Sequence, residues 1–88
     1  MSYKIIRATM GKNEDNEWLG STVFTIDESP VEYEISFYSK RGKDWDYSLH
    51  FAGEPGEEEE FLKLDARIEE DDDLFDDLLD TAIDTIPE

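Results

Sequence analysis

Aspartates are the residues of this sequence whose number and spacing most clearly suggest chemistry. Two rows at helical spacing stand near the C-terminal end: Asp72, Asp76, Asp80 and Asp84 form one, and Asp73 and Asp77 form the other. Each i,i+4 step advances about 6 Å along a helix, because the rise is about 1.5 Å per residue. Neighbouring phosphates on one DNA strand lie a similar distance apart, somewhat more than their axial rise of about 3.4 Å. The spacing predicts a row of carboxylates that resembles a phosphate backbone.

The alternative interpretation of these rows is a solvated helix face. Every amphipathic surface helix has a polar face, and acidic residues are ordinary there. However, like-charged i,i+4 pairs destabilise a helix by roughly 0.2–0.5 kcal/mol each. A helix that needs only solubility would be expected to include lysines, and no Lys or Arg follows Asp71. Both interpretations stay open at this point.

The acidity is concentrated in the C-terminal part of the chain. The sequence carries 8 basic and 25 acidic residues, a formal net charge of −17. Residues 1–50 hold six basic and nine acidic side chains, whereas residues 51–88 hold two and sixteen. A secondary acidic patch precedes the aspartate rows and comprises Glu57, Glu58, Glu59 and Glu60. Because nucleic acid is polyanionic, direct binding to it is disfavoured, and a basic protein is the natural partner.

Few residues of the sequence could support catalysis or hold a metal ion. His50 is the single histidine, cysteine is absent, and no nucleophile-elbow, phosphate-loop or dinucleotide-binding motif occurs. We expect His50 in mid-strand, on the face opposite the apolar residues. The acidic run at residues 69–73 lacks the spacing of an EF-hand loop. We therefore predict a non-enzymatic protein with no catalytic residues, no cofactor and no dedicated metal site.

The predicted elements are a β-meander and a closing helix. Alternating or β-branched segments predict strands over residues 3–10, 18–26, 31–39 and 45–52. Gly20 is a candidate β-bulge. A continuous helical stripe follows and comprises Leu74, Phe75, Leu78, Leu79, Ala82, Ile83 and Ile86. Asp71 is the predicted helix cap, and Pro87 is the predicted stop.

The segment from Phe61 to Ile68 fits two patterns. Apolar residues at every second position favour a fifth strand, whereas fair helix propensity favours a helix that begins at Glu57. We predict the strand. The expected fold is a single acidic α+β domain over residues 1–88, with an antiparallel β-meander of four to five strands packed against one C-terminal amphipathic α-helix.

Size and charge narrow the classes of function. The chain is similar in size and charge to small acidic inhibitors of DNA-binding enzymes, such as phage anti-restriction and anti-CRISPR proteins, and this likeness of composition assigns no residue. We predict a binding or inhibitory protein that acts on a basic, nucleic-acid-binding protein by mimicking DNA charge. The alternative is a structural or assembly domain, a homodimer whose acidity serves only solubility. The absence of cysteine and of a long apolar run favours a cytoplasmic protein without membrane contact.

Overall fold

The described part of the chain folds into one four-stranded sheet followed by two helices. The computed structural model describes residues 2–27 and 29–85. Its elements are β1 (Tyr3–Lys12), β2 (Trp18–Ile26), β3 (Tyr33–Ser39), β4 (Asp46–Phe51), α1 (Glu58–Glu70) and α2 (Asp72–Ile83). The strands are antiparallel and lie in the order β1-β2-β3-β4. The predicted α+β meander is confirmed, with two helices where one was expected.

The core lies between one face of the sheet and the helices. Alternate residues of a strand point to opposite faces, and in β3 the side chains of Tyr33, Ile35 and Phe37 are all buried. Helix α2 contributes the predicted stripe, of which Leu74, Leu78, Leu79 and Ala82 are buried. The predicted end of the stripe at Ile86 and its stop at Pro87 lie outside the described residues.

The predicted fifth strand is wrong, because its residues belong to α1. Phe61, Leu64 and Ile68 follow the i, i+3, i+7 spacing of a helix face, and all three pack in the core. Leu62, which the strand pattern grouped with them, is 56% exposed. A helix also places the glutamates at residues 58–60 in its first turn, where the positive end of the helix dipole favours carboxylates.

The predicted bulge at Gly20 is also wrong. Gly20 pairs in regular register with both neighbouring strands, and the irregularity lies in β1 between Ile5 and Arg7. A Cβ at Gly20 would lie 2.6 Å from the carbonyl oxygen of Thr9 and 2.7 Å from Sδ of Met10. Glycine is therefore required because the backbone carbonyl of Thr9 occupies the space that a Cβ would need, with the buried Met10 side chain beside it.

Polar contacts fix α2 over the sheet. Asp71 caps the helix as predicted, because its side chain accepts a hydrogen bond of 3.1 Å from a backbone N–H in the first turn. Thr22 on β2 is buried, and its hydroxyl donates to the carbonyl oxygen of Leu78 at 2.8 Å. The hydroxyl of Tyr3 on β1 donates to the carboxylate of Asp77. The outer face of α2 therefore has a set orientation relative to the sheet.

Candidate functional site

The six aspartates of the predicted recognition face all lie on the exposed side of α2. We call them the aspartate face: Asp72, Asp73, Asp76, Asp77, Asp80 and Asp84. The last of these is the C-cap, and its φ of −63° and ψ of −13° continue the helical path. The longer row spans about 18 Å at a rise of about 1.5 Å per residue. The structure thus brings the six carboxylates together on one surface, opposite the buried stripe.

Asp77 has a hydrogen-bond donor that sequence reasoning did not identify. Tyr3 lies 74 positions earlier in the chain, and no local pattern could have paired the two residues. The hydrogen bond to Asp77, with burial as the next cause, raises the pKa of Tyr3 to about 12. The phenol is therefore neutral at physiological pH, and it orients the carboxylate without cancelling its charge.

Within the described part of the chain, no basic side chain forms an ion pair with the aspartate face. The two pairs present lie elsewhere. His50 Nε2 is 2.5 Å from Oε1 of Glu34 on the sheet, and Arg67 Nε is 3.2 Å from Oδ2 of Asp71 at the junction of the helices. The charge of the aspartate face is consequently exposed to solvent without a paired cation in the described residues.

Helix α1 offers an internal comparison, because it packs in the same core. Its outer surface mixes charges: Lys63 follows Glu59 at i+4, a favourable spacing. The secondary acidic patch, residues 57–60, lies at the start of α1, where carboxylates are stabilised by the helix dipole. In contrast, Asp80 and Asp84 lie at the end of α2, where negative charge is unfavourable and the last turn holds no basic residue. Helix stability thus explains the glutamates in the first turn of α1 but not Asp80 and Asp84. What separates the two helices is that α1 also carries Lys63 and Arg67, whereas α2 has no basic residue.

His50 lies on the sheet face away from the helices, as predicted. Glu34 is its cross-strand neighbour and the hydrogen-bond partner described for its ring. No serine hydroxyl among the described residues hydrogen-bonds to this ring. Over residues 2–27 and 29–85, no three histidine or carboxylate side chains are grouped so that they could hold a metal ion.

A cleft of about 830 Å³ opens between α1 and the connection from β2 to β3. Its lining combines apolar side chains such as Val31 with both signs of charge, including Lys63, Arg67 and Glu60. The opposed charges give the cleft no single electrostatic preference, so it defines no ligand class.

Comparisons of the chain with protein-family models, with curated proteins and with solved structures found no match. In the described part of the chain, neither helix has the length and apolar character needed to cross a bilayer.

Proposed function

We propose that this protein is a non-enzymatic binding protein that occupies the nucleic-acid-binding surface of a basic protein, in a reducing, cytoplasmic setting. The aspartate face of α2 presents its carboxylates in the place of DNA phosphates. The observation that carries the proposal is the contrast between the helices, since α1 mixes its charges and α2 keeps an exposed face of aspartates alone.

The rigidity of α2 supports this proposal. A mimic of a phosphate row must hold its charges at a defined spacing, since ordering a flexible surface on binding costs free energy. The capped start of α2 at Asp71, the hydrogen bond from Thr22 and the buried stripe hold the helix in place. The carboxylates are thus displayed about 6 Å apart by a preformed element.

The sign of the charge supports a protein partner over a nucleic acid. A chain of net charge −17 repels a polyanion. The same charge accelerates association with a basic surface and makes the complex sensitive to salt. The expected partner class is therefore a DNA- or RNA-binding protein, with enzymes that act on nucleic acid as the leading candidates.

A capture experiment tests the proposal. The protein is immobilised through a single cysteine introduced at the exposed Gly11, where an added Cβ meets nothing within 4 Å. A nuclease-treated cell lysate is applied at low and at moderate salt, and bound proteins are eluted with duplex DNA. We expect a basic, nucleic-acid-binding protein that DNA displaces and that binds at least about tenfold more weakly at moderate salt.

Two variants make the experiment specific. The aspartate-face variant, D76N/D80N/D84N, should lose the partner. The remote-charge variant, E14Q/D15N/E54Q, removes the same number of negative charges from exposed positions in loops, and should retain it. Equal loss in both variants would show that net charge alone drives binding, and recovery of no basic protein at either salt concentration would contradict the proposal.

A further inference from the structure

Strand β4 ends the sheet with one side unpaired. Among the described residues it pairs with β3 alone. The N–H of Ala52 donates to the carbonyl oxygen of Glu32 at 2.9 Å, which identifies this position as a hydrogen-bonded pair. Hydrogen-bonded and non-hydrogen-bonded pairs alternate along an antiparallel ladder. This one pair therefore fixes which type of pair each of the remaining β4 residues forms with β3.

The alternation shows which backbone groups of β4 have no strand partner. His50 and Ser48 occupy hydrogen-bonded positions and exchange bonds with β3. The N–H and C=O groups of Tyr47, Leu49 and Phe51 therefore point away from the sheet. These are the donors and acceptors that an added strand would use.

The two edges of the sheet differ in their protection. Sheet edges are commonly blocked by bulges, lysines or prolines, which prevent other chains from adding to them. Strand β1 has a register shift between Ile5 and Arg7 and also carries Lys4 and Lys12. Strand β4 has no register shift, and residues 47–51 contain no Lys, Arg, Asp, Glu or Pro. Thus β4 is the edge on which a further strand can add.

A groove beside β4 determines the charge of the segment that fits. It has a volume of about 340 Å³ and lies between the strand and α1, with Tyr47, Leu49 and Phe61 on its apolar side and Asp65 and Glu69 as its charged residues. The hydroxyl of Tyr47 is 3.4 Å from Oδ1 of Asp65. Burial and then the charges of these two carboxylates raise the pKa of Tyr47 to about 12. Both carboxylates therefore lie close enough to the groove to make its electrostatic potential negative.

We propose that β4 accepts an extended basic segment of a partner protein as a fifth strand, with a Lys or Arg of that segment seated between Asp65 and Glu69. A second copy of this chain is the poorer occupant, because it would bring together two such carboxylate pairs and two chains of net charge −17. The proposal rests on the proposed function for the sign of the partner's charge, but it uses a surface separate from the aspartate face.

A peptide titration tests the added strand. A short peptide of alternating Lys and Val is titrated into the full chain, with a peptide of alternating Glu and Val as the matched control. Backbone amide hydrogen exchange, followed by NMR, reports on Tyr47, Leu49 and Phe51 individually. We expect these three amides to exchange rapidly in the free protein and to become protected when the Lys-Val peptide binds.

Charge variants test the groove. The groove variant, D65N/E69Q, should weaken the binding of the Lys-Val peptide about two- to thirtyfold, since it removes both carboxylates that pair with the seated lysine. Its control, E14Q/D15N, removes two negative charges from the hairpin between β1 and β2 and should leave the affinity unchanged.

Each other outcome overturns the proposal. Unprotected β4 amides after addition of the Lys-Val peptide would refute strand addition, and equal binding of the Glu-Val peptide would refute the charge assignment. Protection of these amides in the free protein, together with the mass of a dimer, would assign the edge to a second copy. If the Lys-Val peptide does not bind but the aspartate-face variant still loses its captured partner, strand addition alone is contradicted. If the peptide binds but the aspartate-face variant keeps its partner, the proposed function alone is contradicted.

Discussion

The aspartate-face variant, D76N/D80N/D84N, should be more stable than the natural sequence although it binds its partner less well. The longer row contains three like-charged i,i+4 pairs, and the variant removes all of them. At roughly 0.2–0.5 kcal/mol each, their loss stabilises α2 by about 0.6–1.5 kcal/mol. Neutral side chains at the last two positions also relieve an unfavourable interaction with the helix dipole, each worth about 0.3–1 kcal/mol at low salt.

The expected gain is large enough to measure by thermal unfolding. A change of 1 kcal/mol shifts the Tm of a domain of this size by roughly 4–8 °C, so the two contributions together should raise the Tm by at least about 5 °C. Circular dichroism at low salt gives the shift, and a second melt in 1 M salt tests its origin. The Debye length falls to about 3 Å at that concentration, which is shorter than the spacing along the row, so most of the gain should disappear.

A variant of α1 separates local repulsion from net charge. E58Q/E59Q/E60Q also removes three negative charges, but it removes them from the first turn of a helix, where they are favourable. Its Tm should be unchanged or lower. An equal rise in Tm for both variants would show that the effect comes from net charge. An unchanged Tm for D76N/D80N/D84N would refute the claim that repulsion along the aspartate row destabilises α2.

Further predictions concern the contacts that hold the fold. Thr22→Val keeps the side-chain volume but loses the buried hydrogen bond to α2, and should cost about 1 kcal/mol in urea unfolding. Gly20→Ala places a Cβ 2.6 Å from a backbone oxygen, and should cost about 1–3 kcal/mol. Tyr3 and Tyr47 have pKa values of about 12 in the folded chain against an ordinary value of 10.0. The unfolded chain releases these protons at lower pH than the folded chain does. The two tyrosines should therefore contribute their full stabilisation below pH 10, and the free energy of unfolding should fall as the pH rises toward 12. In Y3F/Y47F that decrease should be smaller.

Each of these predictions has a contradicting result. A Thr22→Val protein as stable as the natural one would show that the hydrogen bond adds nothing beyond packing. A Gly20→Ala protein of unchanged stability would remove the steric reason for glycine there. A pH dependence as steep in Y3F/Y47F as in the natural chain would show that other groups, including Tyr33 and Tyr38, whose pKa values are also raised, dominate this range.

The sheet and the final helix were predictable because their patterns fit a single periodicity. The alternation of Tyr33, Ile35 and Phe37 matches a half-buried strand, and no helical face accommodates it. The segment from Phe61 to Ile68 fits two periodicities at once, since apolar residues at every second position include the i and i+4 pair Leu64 and Ile68. The packing of α1 against the aromatic rings of the sheet decides between the helix and the strand. The ring centroids of Phe61 and Phe51, for example, lie 5.0 Å apart.

Features that depend on strand register could not be predicted from local sequence. The need for glycine at position 20 arises from the carbonyl of Thr9 and the side chain of Met10 on the neighbouring strand. The hydrogen bond that orients Asp77 comes from Tyr3 at the other end of the chain. The exposure of the aspartate face was predictable from the helical period alone. The free backbone groups of Leu49 and its neighbours become evident only when the strand order and the pairing of β4 with β3 are known.

Competition with DNA distinguishes a phosphate mimic from a protein that binds elsewhere on the partner. The basic protein captured by the natural sequence is mixed with labelled duplex DNA, and the fraction of bound DNA is measured as the acidic protein is added. The natural protein should displace the DNA completely, and the apparent Kd for DNA should rise in proportion to the concentration of the acidic protein. D76N/D80N/D84N should displace the DNA far less effectively. A ternary complex, in which the partner holds DNA and the acidic protein together, would contradict the claim that the aspartate face takes the place of phosphates.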